Sequence, residues 1–361
     1  MFSAENKTLE QIFKALLVFM PISWILFIIG DRGILLFIAS LLSIIPTSKL
    51  ISDMTATIAK NSSSLRGAFI NAAFGNVTEV FIAFFALAAG LVEVVKAAII
   101  GSLLANLLLL LGLSLLLGGL KYKEQRFNSN TVGIASTMLI IAFAGFTVPS
   151  LFSVFFEEGP TTQISIMVSG VLIVAYLLGV VFTFFTHKHY FEPMRAYSET
   201  KTQNWNKGQT IAVLAIATTA AAFQANLLVE SLSIAIGTLG LGQIFVGIVI
   251  IGVVGNVAEM TTAISAALRN NVNLAINVAI GSTTQVAMFV VPLLVFLSVV
   301  LPRSIVPVQL DLVFNLFQII SVLFAVMIVN YLSSDGRCNW LEGVQLVSVY
   351  LIIAVAFFFV G

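Results

Sequence analysis

Charged side chains are scarce in this 361-residue chain: Asp, Glu, Lys and Arg together make 9% of it, against 59% hydrophobic residues. A soluble globular domain usually carries about a quarter charged residues, so that class is excluded. Cysteine is scarcer still. The single Cys338 rules out an intrachain disulfide and leaves no cysteine cluster for zinc or an iron–sulfur centre. An excess of one charge sign is also lacking: a formal net charge of +1 provides no field to gather nucleic acid. Residues 1–14 are polar and run into an apolar stretch without a small-residue cleavage site, so the first helix is expected to be retained.

What the chain has in abundance is long apolar runs. Breaking it at charged, Pro and Gly clusters leaves eleven segments, at 12–30, 33–52, 66–89, 95–119, 130–155, 161–186, 209–237, 242–267, 272–299, 306–331 and 339–360. Runs of about 20 residues suit helices that cross a bilayer, and the period-two pattern of a membrane barrel is missing. The pattern predicts an all-α polytopic membrane protein with about eleven transmembrane helices. If the segments alternate in direction, 14 of the 17 basic residues, Lys49 and Lys60 among them, fall on one side, and only Arg32, Lys96 and Arg303 on the other. By the positive-inside rule the first side is cytoplasmic, with the N-terminus inside and the C-terminus outside. The most polar connection, 187–208, contains both histidines and divides the chain after the sixth segment.

Two acidic residues stand inside apolar stretches in matching settings, Gly75-Asn76-Val77-Thr78-Glu79 and Gly255-Asn256-Val257-Ala258-Glu259. Each is followed at the same distance by Gly-Ser, ending at Ser102 and Ser282. Residues 75–102 and 255–282, at an offset of 180, agree at 10 of 28 positions. The motifs lie in the third and eighth segments, five crossings apart, so the copies run through the membrane in opposite senses. The expected organisation is an extra helix over 1–32, a first five-helix repeat over 33–186, a cytoplasmic connection over 187–208 and a second, inverted repeat over 209–361. Inverted repeats with a site near the midplane are the architecture of many secondary transporters.

A carboxylate at bilayer depth costs roughly 2.5–3.5 kcal/mol on insertion scales, so Glu79 and Glu259 are candidates for an ion or proton pathway. Asn and Glu three apart share a helix face, and the glycine ahead of them lets the backbone open and free carbonyl oxygens. Carboxylates, amides and carbonyls suit a hard cation such as Ca2+; zinc or copper would call for the His and Cys that are missing here. Two glutamates neutralise one divalent ion, and once it leaves, bare carboxylates in a low-dielectric cavity favour protonation. Exchange of a divalent cation for protons follows, with no cofactor beyond the transported ions.

These residues resemble those of the calcium/proton exchanger (CAX) family within the cation/calcium exchanger superfamily. The resemblance is carried by NAAFGNVTEVFIAFFALAAGLVEVVKAAIIGSLLANLLLLLG from Asn71, FVGIVIIGVVGNVAEMTTAI from Phe245 and INVAIGSTTQVAMFV from Ile276. It implies eleven helices, an inverted repeat and proton-driven export of Ca2+ from the cytosol by alternating access. Carried onto this sequence, it makes Glu79 and Glu259 the alternating Ca2+ and proton carriers, with Asn76 and Asn256 beside them. Ser102, Ser282 and Gln285 match supporting polar positions, with backbone carbonyls near Gly75 and Gly255. Asn106 matches more weakly, because its counterpart at the offset is Val286. Asp53 and Glu230, toward helix ends on opposite sides, are secondary candidates for a cation entrance. The short loop between the halves, with Glu192 and Glu199 among basic residues, fits a compact prokaryotic-type member in the plasma membrane. The rivals are a Na+- or K+-coupled exchanger of the same fold, an intramembrane hydrolase with paired carboxylates, and a passive channel. A non-enzymatic transporter embedded in lipid is expected, and the sequence leaves assembly as a homo-oligomer open.

Overall fold

The computed structural model describes residues 10–60, 62, 67, 70–71, 73–156, 159–187 and 206–360. Most of the connection at 187–208 thus lies outside the described residues, as does part of the start of the third segment. Each of the eleven apolar segments holds a helix. In chain order these are α1 (Glu10–Ile28), α2 (Ile34–Lys60), α3 (Val77–Ala88), α4 (Val92–Tyr122), α5 (Ser129–Phe155), α6 (Thr161–Thr186) and α7 (Lys207–Leu239). There follow α8a (Gln243–Gly255) and α8b (Val257–Ala267), then α9 (Val272–Val300), α10 (Leu316–Leu332) and α11 (Trp340–Val360). Among the described residues eight helices are long and apolar enough to cross a membrane, and α8a with α8b makes a ninth span bent by 55°. The helices α3 and α10 are shorter, at 12 and 17 residues.

Burial orders the bundle. The central helices α4 and α9 are its most enclosed spans, whereas α1 lies on the periphery. It is fastened there by Ser23, whose hydroxyl donates to Gln224 Oε1 at 3.0 Å, and by Trp24 and Phe27, which meet the ring of Phe223 edge-on. The most extensive helix pairing joins α2 to α7. Buried Ser40, Ser43, Thr47 and Ser48 face inward from α2, and small residues of this kind let backbones approach closely where burial of apolar surface gives little drive.

Helix ends identify the two faces. Strands β1 (Glu124–Arg126) and β2 (Arg337–Asn339) pair antiparallel, joining the α4–α5 and α10–α11 connections. Lys121 Nζ and Tyr122 Oη both donate to the carbonyl of Leu268, which brings the end of α8b to the same face. Lys121, Lys123, Arg126, Arg269 and Arg337 gather on this basic-rich face. The opposite face carries Lys96, buried and bonded to Asp311 at 2.6 Å, and Arg32, paired with Glu230 at 3.2 Å.

Two boundaries differ from the sequence expectation. Segment 33–52 continues as helix to Lys60, because its later polar residues find partners within α2: Lys49 bonds Asp53, and Thr57 donates to the Asp53 carbonyl. Segment 306–331 is helical only from Leu316. Pro302 and Pro307 lack amide protons, and Asn315 with Gln318 forms a capping box that starts α10. The non-helical residues ahead of it include fully enclosed Val306, Leu310 and Leu312. Their backbone is satisfied by side chains: the amides of Leu310, Leu312 and Phe314 donate to the hydroxyls of Ser298, Ser165 and Ser150.

Candidate cation site between two broken helices

Both motifs interrupt a helix at the asparagine. Asn76 (φ −122°, ψ 31°) precedes α3 and Asn256 (φ −99°, ψ 10°) separates α8a from α8b. Each glutamate therefore sits in the first turn of the helix that follows, where the helix dipole and free amide protons favour negative charge. Both asparagine side chains are released from capping and turn inward.

A chain of neutral polar groups links the two breaks. Asn256, with no exposed surface, donates from Nδ2 to the Gly252 carbonyl at 2.7 Å and to Ser102 Oγ at 3.0 Å. Its Oδ1 accepts from Asn106 Nδ2 at 2.8 Å. The same Asn106 amide reaches Ser282 Oγ at 3.1 Å, and Ser282 donates to Asn76 Oδ1 at 3.1 Å. Asn106 is thus the bridge between the two motifs, a more central place than its weak sequence match implied. It occupies a π-helical stretch of α4, Ala105–Leu110, and α9 has its own at Val286–Val290, directly after Gln285. The widened turn redirects side chains, which is why such stretches often accompany functional sites.

The Glu79 side chain lies against Gly255, four residues ahead of Glu259 in the chain. Glu79 Oε1 and Glu259 Oε2 are both buried and have no hydrogen-bond partner among the described residues. Buried carboxylate oxygens left open in this way, beside hydroxyl and amide oxygens, can accept a hard cation or a proton. Among the described residues no three His, Cys, Asp or Glu side chains converge, so such a site would draw the rest of its oxygens from neutral groups.

Access to the two acids differs. Glu259, Asn76, Gly75, Ser282 and Gln285 line a cavity of about 900 Å³, which continues past Asn71, Thr262 and Asn277 toward the basic-rich face. Glu79, Ser102, Gly255 and Asn256 line a second cavity of only about 30 Å³. Seven residues of the small cavity, Glu79, Ile82, Ala98, Ser102, Ile251, Gly255 and Asn256, shifted by 180, become Glu259, Thr262, Val278, Ser282, Asn71, Gly75 and Asn76, all lining the large one. What separates the two is packing. On the Glu79 side α4 and α8a touch backbone to backbone: a Cβ on Gly101 would collide with Ile248, and one on Gly252 with Gly101. On the Glu259 side Gly281, the counterpart of Gly101, has open space where a Cβ would stand.

The remaining expected residues are placed as follows. Gln285 donates to the Asn71 carbonyl at 3.1 Å and faces Gly75. Gly255 lies against Glu79, whose Cγ would stand 3.4 Å from a Cβ built there. Glu230 is not brought to the site; it is held by Arg32 and by Asn226 Nδ2 at 2.8 Å. Asp53 lies one turn from Lys49 and is bonded to it, and it does not line the cavity. Asn71, Thr262 and Asn277 went unnoticed in the sequence, although each is a polar residue within an apolar run.

A bundle of apolar helices with a polar core between two interrupted helices defines a multi-pass membrane transporter. The sodium/calcium exchanger protein family profile matches residues 32–185 and 209–359, and the chain belongs to that family. Among its relatives, the Ca(2+)/H(+) antiporter of Synechocystis is 36% identical, over 98% of both chains. The Ca(2+)/H(+) antiporter ChaA of Bacillus subtilis is 37% identical, over 81% of this chain and 83% of the relative. The solved structure of native YfkE superposes with a TM-score of 0.83 at 32% identity, covering 96% of this chain and all of the other.

Proposed function

We propose that this protein is a secondary antiporter that expels Ca2+ from the cytosol in exchange for H+, with Glu79 and Glu259 alternately holding cation and protons. The observation that carries this reading is the pair of related cavities, one open and one collapsed, around equivalent glutamates. In an inverted repeat, equivalent halves in unlike conformations supply a second state by exchanging roles. Opening of the Gly101–Gly252 contact, with closure around Gly281, would carry Glu79 to solvent on the opposite face. The separate profile matches to residues 32–185 and 209–359 support repeats at 33–186 and 209–361, with residues 1–32 outside them. Ca2+ and H+ as cargo rest on the names of relatives similar over nearly the whole chain and on the hard-oxygen donor set.

The basic-rich face is assigned to the cytoplasm of a prokaryotic cell, with the N-terminus inside and the C-terminus outside. The open cavity then receives Ca2+ from the cytosol. Glu79, Glu259, Asn76, Asn256, Ser102 and Ser282 form the binding set, with Asn106 tying the halves together. Purified protein in sodium- and potassium-free proteoliposomes, given a pH gradient alone, is expected to move Ca2+ against H+. Movement that requires added Na+ or K+ would transfer the assignment to a monovalent-coupled exchanger.

A further inference from the structure

The sequence puts Lys49 with the cytoplasmic ends of helices, yet in the structure it stands well before the end of α2 with most of its side chain covered. Helix α2 runs on to Lys60, about three turns and roughly 16 Å past Lys49. The adjacent Ser48 donates to Thr78 Oγ1 at 3.0 Å, and Thr78 precedes Glu79, so this turn of α2 is level with the carboxylates. Ser52 and Thr55, farther along α2, line the same cavity as Glu259. The ammonium is bonded to Asp53 at the edge of this cavity, on a helix that packs against α8b, which carries Glu259. A lysine at this depth is costly and calls for a functional account.

We propose that Lys49 is a tethered counter-cation of the ion site, a positioning residue that weakens Ca2+ binding at Glu259, and that Asp53 holds it at a set distance. This rests on Glu259 being a cation ligand. Repulsion scales with the product of charges, so a divalent ion is penalised twice as strongly as a proton at the same place. The consequence is an ion that binds without being trapped and that protons can displace. Asp53 acts through Lys49: with the carboxylate neutralised, the flexible ammonium is free to approach Glu259 and compete with the incoming ion.

The test is the Ca2+ concentration for half-maximal proton-driven transport, measured on full-length protein in proteoliposomes. Lys49→Met is expected to lower it by about tenfold without raising the maximal rate, and Lys49→Arg to restore the wild-type value. Asp53→Asn is expected to raise it several-fold, and the double variant to behave as Lys49→Met. A purely structural helix pair would shift both single variants in the same direction. That outcome, or an unchanged value in Lys49→Met, overturns the proposal. Exchange that survives in Glu259→Gln removes the site itself. Loss of exchange in Glu259→Gln with no effect of Lys49→Met removes only the role of Lys49.

Discussion

Glu79 and Glu259 each leave one buried oxygen without a partner among the described residues, and so does Asn106, whose Oδ1 stays open while its amide bonds both motifs. Open oxygens of this kind suit the proposed exchange of charge, and the two acids were legible in the sequence as carboxylates within apolar runs. Asn106 was less legible. Comparison of the halves rewards symmetry, and this residue sits off the symmetry, with a valine as its counterpart and both motifs as its partners. Asn106→Leu is expected to leave Asn256 and Ser282 short of a donor at a cost of about 1–3 kcal/mol, lowering the melting temperature in detergent and slowing transport. Unchanged melting and flux would show that the bridge is incidental. Cys338 lies in β2, where burial foremost and then the carboxylates of Glu342, Asp335 and Glu124 push its thiol up to about 12. The nucleophile is the thiolate, so native protein at neutral pH is expected to resist maleimide and denatured protein to react, as mass spectrometry would show.

At the scale of elements, apolar runs located the helices of the described residues and misjudged two boundaries for one reason. Window hydropathy is blind to where polar groups find partners. The polar end of α2 remains helical because its side chains bond along the helix. The apolar residues before Leu316 do not become helix, because prolines withhold amide protons and serines of three other helices satisfy the extended backbone. The Gly-Ser pairs were readable as a repeat, but their unequal packing was not, since sequence symmetry carries no information about state. The Gly101–Gly252 contact leads to a conformational prediction. Gly252→Ala is expected to pry α4 from α8a and to raise the labelling rate of an Ala98→Cys probe by a membrane-impermeant reagent applied from the basic-poor face. Labelling that stays slow would mean that this contact does not close the Glu79 cavity.

For the whole molecule, inversion, sidedness and the large cavity fit one cycle. In the proposed cycle the inversion is the sequence's expectation, from an odd number of crossings between motifs, and so is the sidedness, from the uneven distribution of basic residues. The structure contributed an asymmetry of the kind the proposed alternating access needs, about 900 Å³ around Glu259 and about 30 Å³ around Glu79. The proposed cycle runs both acids along one ion path, so each is expected to be indispensable. The most direct measurement is simultaneous recording of Ca2+ and pH in proteoliposomes for wild type, Glu79→Gln and Glu259→Gln, each shown to be folded by its melting curve. Coupled Ca2+ and H+ movement in wild type, and neither in either variant, is the expected result; coupled exchange persisting in both single variants would contradict the account.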